Sequence, residues 1–213
     1  MPVTISGNGV ITGVSVGGLP NGIVDEDMIA TNAVTTNKIL NANVTSGKLA
    51  SGTGGKVLQV QSNVLTTAYS QGLSSGTTYD IMTCNITPSS GSKVFIQWFI
   101  GQMVVTSGTN QIGLYLRRNT TGIGFPTSPG SRRSFTTFAA AWDDQQGDRT
   151  KGTSGCWMDL SPGGDGSTAI TYRLSVFDGD GGGTIRVNRS DDDTDNNIHA
   201  RTPSQFVLTE IAA

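Results

Sequence analysis

The sequence predicts a mainly β protein, with a C-terminal β-sandwich head of jelly-roll type carried on an N-terminal extended arm and a short repeat shaft. Three observations point there. Strand-length apolar runs follow one another from Lys56 to the end, Gly, Pro and Asp turn signals separate them, and no amphipathic segment reaches helix length. The composition agrees: only 14% of the residues are charged, 35% are hydrophobic, and 29 of the 213 are glycine. Thr, Ser and Asn then supply most of the polar surface, and these residues suit turns and strands better than helix interiors.

Residues 1–22 are Gly-rich, with "SGNG" at Ser6–Gly9 and "GGLPNG" at Gly17–Gly22. Such a segment cannot make a core of its own, so it is expected to be an extended anchor arm lying against another chain or a larger assembly.

Residues 23–50 carry a different order. Val24, Ile29, Val34, Ile39, Val44 and Leu49 stand five positions apart, and "AVTTNKIL" is followed by "NVTSGKLA" as a ten-residue repeat. A helix calls for an apolar residue every 3.6 positions and a half-buried strand for every second one, so neither explains this beat. The acidic turn in "DEDMIATNAV" could open a helix, but Thr35, Thr36, Asn37, Asn41, Asn43, Thr45 and Gly47 oppose one. One apolar side chain in five cannot offset the entropy of ordering a lone chain. Three copies wound about a common axis could bury their rows together, so a homotrimeric shaft is expected.

"SGTGG" at 51–55 reads as a hinge, and residues 56–213 as the head. Within it "KVLQVQS", "NVLTTAYS" and "YDIMTCNIT" are strand-like and end at a "PSSG" turn. In "KVFIQWFIGQMVV", Val94, Ile96, Trp98 and Ile100 fall on one face and Phe95 and Phe99 on the other, so the strand is apolar on both faces, as expected for a central one. "QIGLYLRRN" alternates as a half-buried strand does, and "SFTTFAAAW", "GCWMDLS", "AITYRLSVFD", "TIRVN" and "SQFVLTEIAA" continue the series. Trp98 and Trp157 are expected in the core, and Cys84 and Cys156 as free buried thiols.

Several function classes find no support. Net charge is −2 with no basic stripe, which argues against nucleic acid as a partner. No apolar run approaches bilayer length, and "MPVTISGNGV" lacks the features of a signal peptide, so a soluble protein made in the cytoplasm is expected. His199 is the only histidine and lies in the polar loop "NNIHARTP", which leaves a histidine-dependent nucleophile without a basis. Asp143 and Asp144 are candidates for glycoside hydrolysis, but neighbours on an extended chain point in opposite directions, and no catalytic residue is assigned.

Binding chemistry has more to offer. Trp142, beside Asp143, Asp144 and Gln145, suits stacking on a glycan, and Arg132 with Arg133 could read an acidic sugar. Asp191, Asp193 and Asp195 alternate in "NRSDDDTDNN", a spacing at which oxygen ligands can converge on calcium, although no glycine or distal glutamate completes a known loop.

The order of these parts resembles a known family. The Gly-rich start, the "AVTTNKIL…NVTSGKLA" repeats, the "GGKVLQVQS" junction, "NITPSSGSKVFIQ" and the terminal "FVLTEIAA" together look like tail-fibre-like virion proteins of tailed bacteriophages, particularly those of aquatic phages. The resemblance spans nearly the whole chain. It implies a homotrimeric spike in the virion, assembled in the host cytoplasm, with the arm bound to tail, baseplate or capsid proteins and the head contacting a host surface glycan without turnover. Because the shaft is short, the resemblance also implies an alternative: a capsid head-fibre, decoration or cement protein pinned to the shell by its arm.

Overall fold

The computed structural model describes residues 4–5, 7, 11–12, 29–31, 33–35, 39, 43–45, 48–49, 56–106, 112–127, 130–131, 133–138, 151–179, 182–197 and 199–213. The chain forms two compact units, Met1–Gly54 and Gly55–Ala213. The five residues expected as a hinge (51–55) and Val24 of the apolar row lie outside the described residues.

In the first unit, β1 (Thr4–Ile5) pairs antiparallel with β2 (Ile11–Thr12), so the segment expected to run extended folds back here. Farther on, bends fall at Ile29, Val34, Ile39, Val44 and Leu49, the residues of the five-residue beat. Short-range bonds support them: the Ala33 amide donates to the Ala30 carbonyl, and the Lys48 amide to that of Thr45, both at 2.9 Å. The backbone therefore turns at each beat, and the five described side chains of the row are 40–56% exposed.

The second unit is a β-sandwich. Its larger sheet has six strands: β3 (Val57–Leu65), β4 (Tyr69–Gly72), β6 (Lys93–Thr106), β10 (Lys151–Asp159), β12 (Thr184–Val187) and β13 (Ser204–Ile211). The smaller sheet has five: β5 (Thr78–Ile86), β7 (Ile112–Arg118), β8 (Thr121–Ile123), β9 (Thr137–Phe138) and β11 (Ile170–Asp178). All described pairings are antiparallel.

The 14-residue β6 organises the larger sheet. One edge pairs with β10; the other pairs first with β13 and then, from Met103 onward, with β12. The change of partner takes place at a buried polar node. Asn188, in the left-handed region at φ 64°, donates through Nδ2 to the carbonyls of Leu65 (2.7 Å) and Thr67 (3.1 Å) and accepts from Ser204 Oγ (2.5 Å). Gly101 sits opposite, where a Cβ would collide with the Pro203 carbonyl.

Alternation puts Val94, Ile96, Trp98 and Ile100 of β6 inward, against Leu114, Leu116, Tyr172, Leu174 and Val176 of the smaller sheet, and all are buried. The sandwich is tied at both sides. Asn63 Nδ2 of β3 donates to the Thr83 carbonyl of β5 at 2.8 Å. Opposite, Asp159 of β10 accepts from Arg118 of β7 (2.9 Å) and from the Tyr172 hydroxyl of β11 (2.7 Å). Burial raises the Tyr172 hydroxyl far above the ordinary phenol range, with Asp159 adding to the effect, so it stays a proton donor.

Some expectations require correction. "KVLQVQS" and "NVLTTAYS" meet in one continuous strand, β3. Trp98 belongs to the core, but Trp157, on edge strand β10, remains 42% exposed. Cys84 is buried whereas Cys156 is exposed, and both are free thiols. β6 is central in its sheet, as expected, and on its second face Phe99 is 50% exposed.

Glu210 of β13 provides a pH-dependent lock. Its buried carboxylate accepts from Gln59 Nε2 (2.6 Å) and from the Ser89 amide (2.7 Å). Burial alone would push its pKa up, but these bonds and one from Ser92 outweigh burial and hold it below its ordinary value of 4.5. A carboxyl with a lowered folded pKa stabilises fully above its unfolded pKa, and that stability is lost as pH falls through the folded value. Urea unfolding at pH 7 and pH 3 should therefore show Glu210→Gln destabilised by about 1–3 kcal/mol at pH 7, with the gap to the parent narrowing at pH 3.

Candidate functional site

The outer face of the smaller sheet gathers the charged and aromatic side chains that the core excludes. Its central strands alternate so that Tyr115 and Arg117 of β7, and Arg173, Ser175 and Phe177 of β11, point away from the core. Asp80 joins them because the β5–β11 register shifts between Leu174 and Ser175: Met82 faces Leu174, Asp80 faces Ser175, and Ile81 is the extra residue.

Asp80 then anchors a compact network. Its carboxylate accepts from Arg117 Nη2, from Ser175 Oγ (2.6 Å) and from Arg173 Nη1 (2.6 Å), and Arg117 Nε donates to Ser175 Oγ at 3.1 Å. Partial burial raises the carboxyl's pKa, but the three donors prevail and hold it below the ordinary value. Arg173 is also fixed by a 3.0 Å bond from Nε to the Asn119 carbonyl, which sits in a turn with Asn119 at φ 54°.

Next to this network lies an aromatic cluster. Tyr115 stacks parallel on Phe177 with centroids 4.8 Å apart, while Phe125 and Phe135 tilt against Tyr115 at 4.8 and 5.6 Å. Two glycines make the room: a Cβ at Gly113 would enter the Phe135 ring, and one at Gly122 would enter that of Phe125. Arg133 reaches over Phe177, its guanidinium carbon 5.9 Å from the ring centroid, and Gly179 leaves space for it. Thr136 secures the loop, bonding through Oγ1 to the Leu116 amide (3.0 Å) and the Ile123 carbonyl (2.9 Å).

Of the binding residues expected from sequence, Arg133 thus lies on this face. Arg132, Trp142, Asp143 and Asp144 lie outside the described residues. Tyr115, Phe125, Phe135 and Phe177 were not singled out, because their grouping depends on register. The one local sign is Gly113 in an outward position of "QIGLYLRRN", where a strand seldom wastes a side chain.

The acidic loop is arranged for arginine. Asp191 ion-pairs with Arg186, while Asp193 takes Arg201 through two bonds (2.6 and 3.1 Å) and approaches Arg189 at 3.6 Å. Arg201 is the largest influence lowering the Asp193 pKa. Asp195 is exposed, and among the described residues no three His, Cys, Asp or Glu side chains gather as a metal-binding group. Two of the carboxylates expected as calcium ligands, Asp191 and Asp193, are thus each paired with a guanidinium group. His199 closes the same loop, its Nδ1 3.2 Å from Ser190 Oγ.

The chain matches no protein-family model, and comparison with curated proteins finds no relative.

Two outcomes follow from this geometry. Gly113→Val should displace the Phe135 ring, changing the near-ultraviolet circular dichroism and costing about 1–3 kcal/mol while the strand signal persists. Millimolar calcium should leave the melting temperature unchanged, since Asp191 and Asp193 already have cationic partners; a rise of several degrees that EDTA reverses would place an ion on the loop.

Proposed function

We propose that this protein is a structural component of a phage virion: a homotrimeric tail fibre or spike, its arm bound to other virion proteins and its head contacting the host surface without turnover. The observation that carries this reading is the row itself. Ile29, Val34, Ile39, Val44 and Leu49 recur at one per five residues, each stands at a bend, and each is 40–56% exposed in the single chain. Exposed apolar residues repeated at a fixed interval are a surface that further copies of the same chain can cover, because every copy brings an identical row.

The outer face of the smaller sheet supplies the binding chemistry. Aromatic rings give a sugar its stacking surface, and the Asp80, Arg117, Arg173 and Arg133 groups beside them offer charged donors and acceptors, with Arg133 suited to an acidic sugar. The residues used in this role are held by packing and ion pairs, which fits recognition by a preformed surface.

Native mass measurement of the intact protein should give three copies. Replacing Val34 and Ile39 together by Asp should reduce that to one while the β signal of the head is retained. Purified protein should label host cells and compete with adsorption of the phage; a trimer that does neither overturns the receptor-binding role. Label on the capsid instead of the tail would make the protein a decoration of the shell.

A further inference from the structure

We propose that the outer face of the larger sheet, across β3, β13, β6 and β10, is a second self-association surface through which the heads of neighbouring copies pack. The inference rests on the oligomer proposed above and adds a second contact, in the head.

The face is defined by register. Three cross-strand rows run over it, through Val64 and Phe99, through Val207 and Gln97, and through Val60 and Phe95. On β10 the row through Gln97 ends at Cys156. None of the side chains in these rows is charged. Val60 and Val64 are about as exposed as Phe99, near half of their surface. Between Phe99 and Val207 lies a shallow groove of about 490 Å³ lined also by Gln97, Gln205, Ser154 and Cys156.

The lack of charge selects the occupant. Packing identical faces about a rotation axis sets like against like, so any charged residue near the axis would meet its own copy. A face of valine, phenylalanine and uncharged amides avoids that cost, whereas the opposite face of the sandwich, with Asp80, Arg117 and Arg173, does not. Size agrees. Three rows across four strands cover about 400 Å², half of the roughly 800 Å² per partner that a stable interface needs. The face is therefore insufficient alone and suits an interface shared with the apolar row.

Cys156 provides the test, because it is an exposed thiol on this face and Cys84 is buried. The full chain is treated with a maleimide, and its native mass is measured in parallel, for the parent, Phe99→Lys, Val60→Lys and the Val34→Asp/Ile39→Asp pair. In the parent oligomer Cys156 should react about tenfold or more slowly than in either lysine variant. The lysine variants should dissociate at concentrations about a hundredfold higher than the parent. A parent oligomer whose Cys156 reacts as fast as in the lysine variants overturns the head contact and leaves the row standing. A monomeric parent overturns the oligomer and the head contact together, and if its Cys156 is nevertheless protected, another part of its own chain covers the face.

Discussion

Burial of Val94, Ile96, Trp98 and Ile100 under the smaller sheet is the interaction on which the head depends, because three further strands take their register from the strand that carries them. β13 and β12 share one edge of β6, and β10 holds the other. A slip of one residue would turn the whole apolar row outward, so the pattern of β6 fixes the faces of its partners as well. The polar node of Asn188, Ser204 and Gly101 then marks where one partner must give way to the next. Its buried bonds leave little freedom to shift the boundary, since any slip would strand a buried amide.

That constraint also separates the molecule's two outer faces. On the smaller sheet the outward positions are taken by Asp80, Arg117, Arg173 and an aromatic cluster, each with a partner within the chain. On the larger sheet the three rows through Val64 and Phe99, through Val207 and Gln97, and through Val60 and Phe95 carry no charge, and Phe99 and Val64 are half exposed. Only 14% of the residues are charged, and on the outer face of the smaller sheet Asp80, Arg117 and Arg173 are closed by ion pairs. A surface evenly mixed in sign would be the usual arrangement for a lone soluble domain. Here the uneven arrangement leaves one face free for contacts with the same uncharged character.

Much of the fold was legible because strand alternation is a local signal. The runs beginning at Lys93, Ile112, Ile170 and Ser204 fall where strands form, and their inward residues are the core. What failed depended on neighbours in space. Trp157 reads like Trp98 in sequence, yet it lies on an edge strand where the sandwich does not close over it. The ion pairs of Asp191 and Asp193 were likewise not legible locally, because Arg186 comes from the preceding strand and Arg201 from the far side of the loop. The aromatic cluster could not be assembled from sequence at all, since Phe125 and Phe135 reach Tyr115 only after β7 has found its register with β11.

The apolar character of both faces of β6 has a consequence beyond its central place in the sheet. Two apolar faces on one strand ordinarily mean two layers packed against it, and one layer is supplied by the smaller sheet. On the other side Phe99 is half exposed, while the buried hydrophobic cluster among the described residues lies on the inner side. An apolar face kept in water costs solubility and contributes nothing to the fold, so its retention along three registered rows calls for a function outside the single chain. The described residues of the row from Ile29 to Leu49 pose the same requirement, since each is 40–56% exposed. Two surfaces exposed among the described residues of one chain would be most simply covered by one kind of partner, and under the proposed oligomer a further copy of the chain brings both surfaces at once.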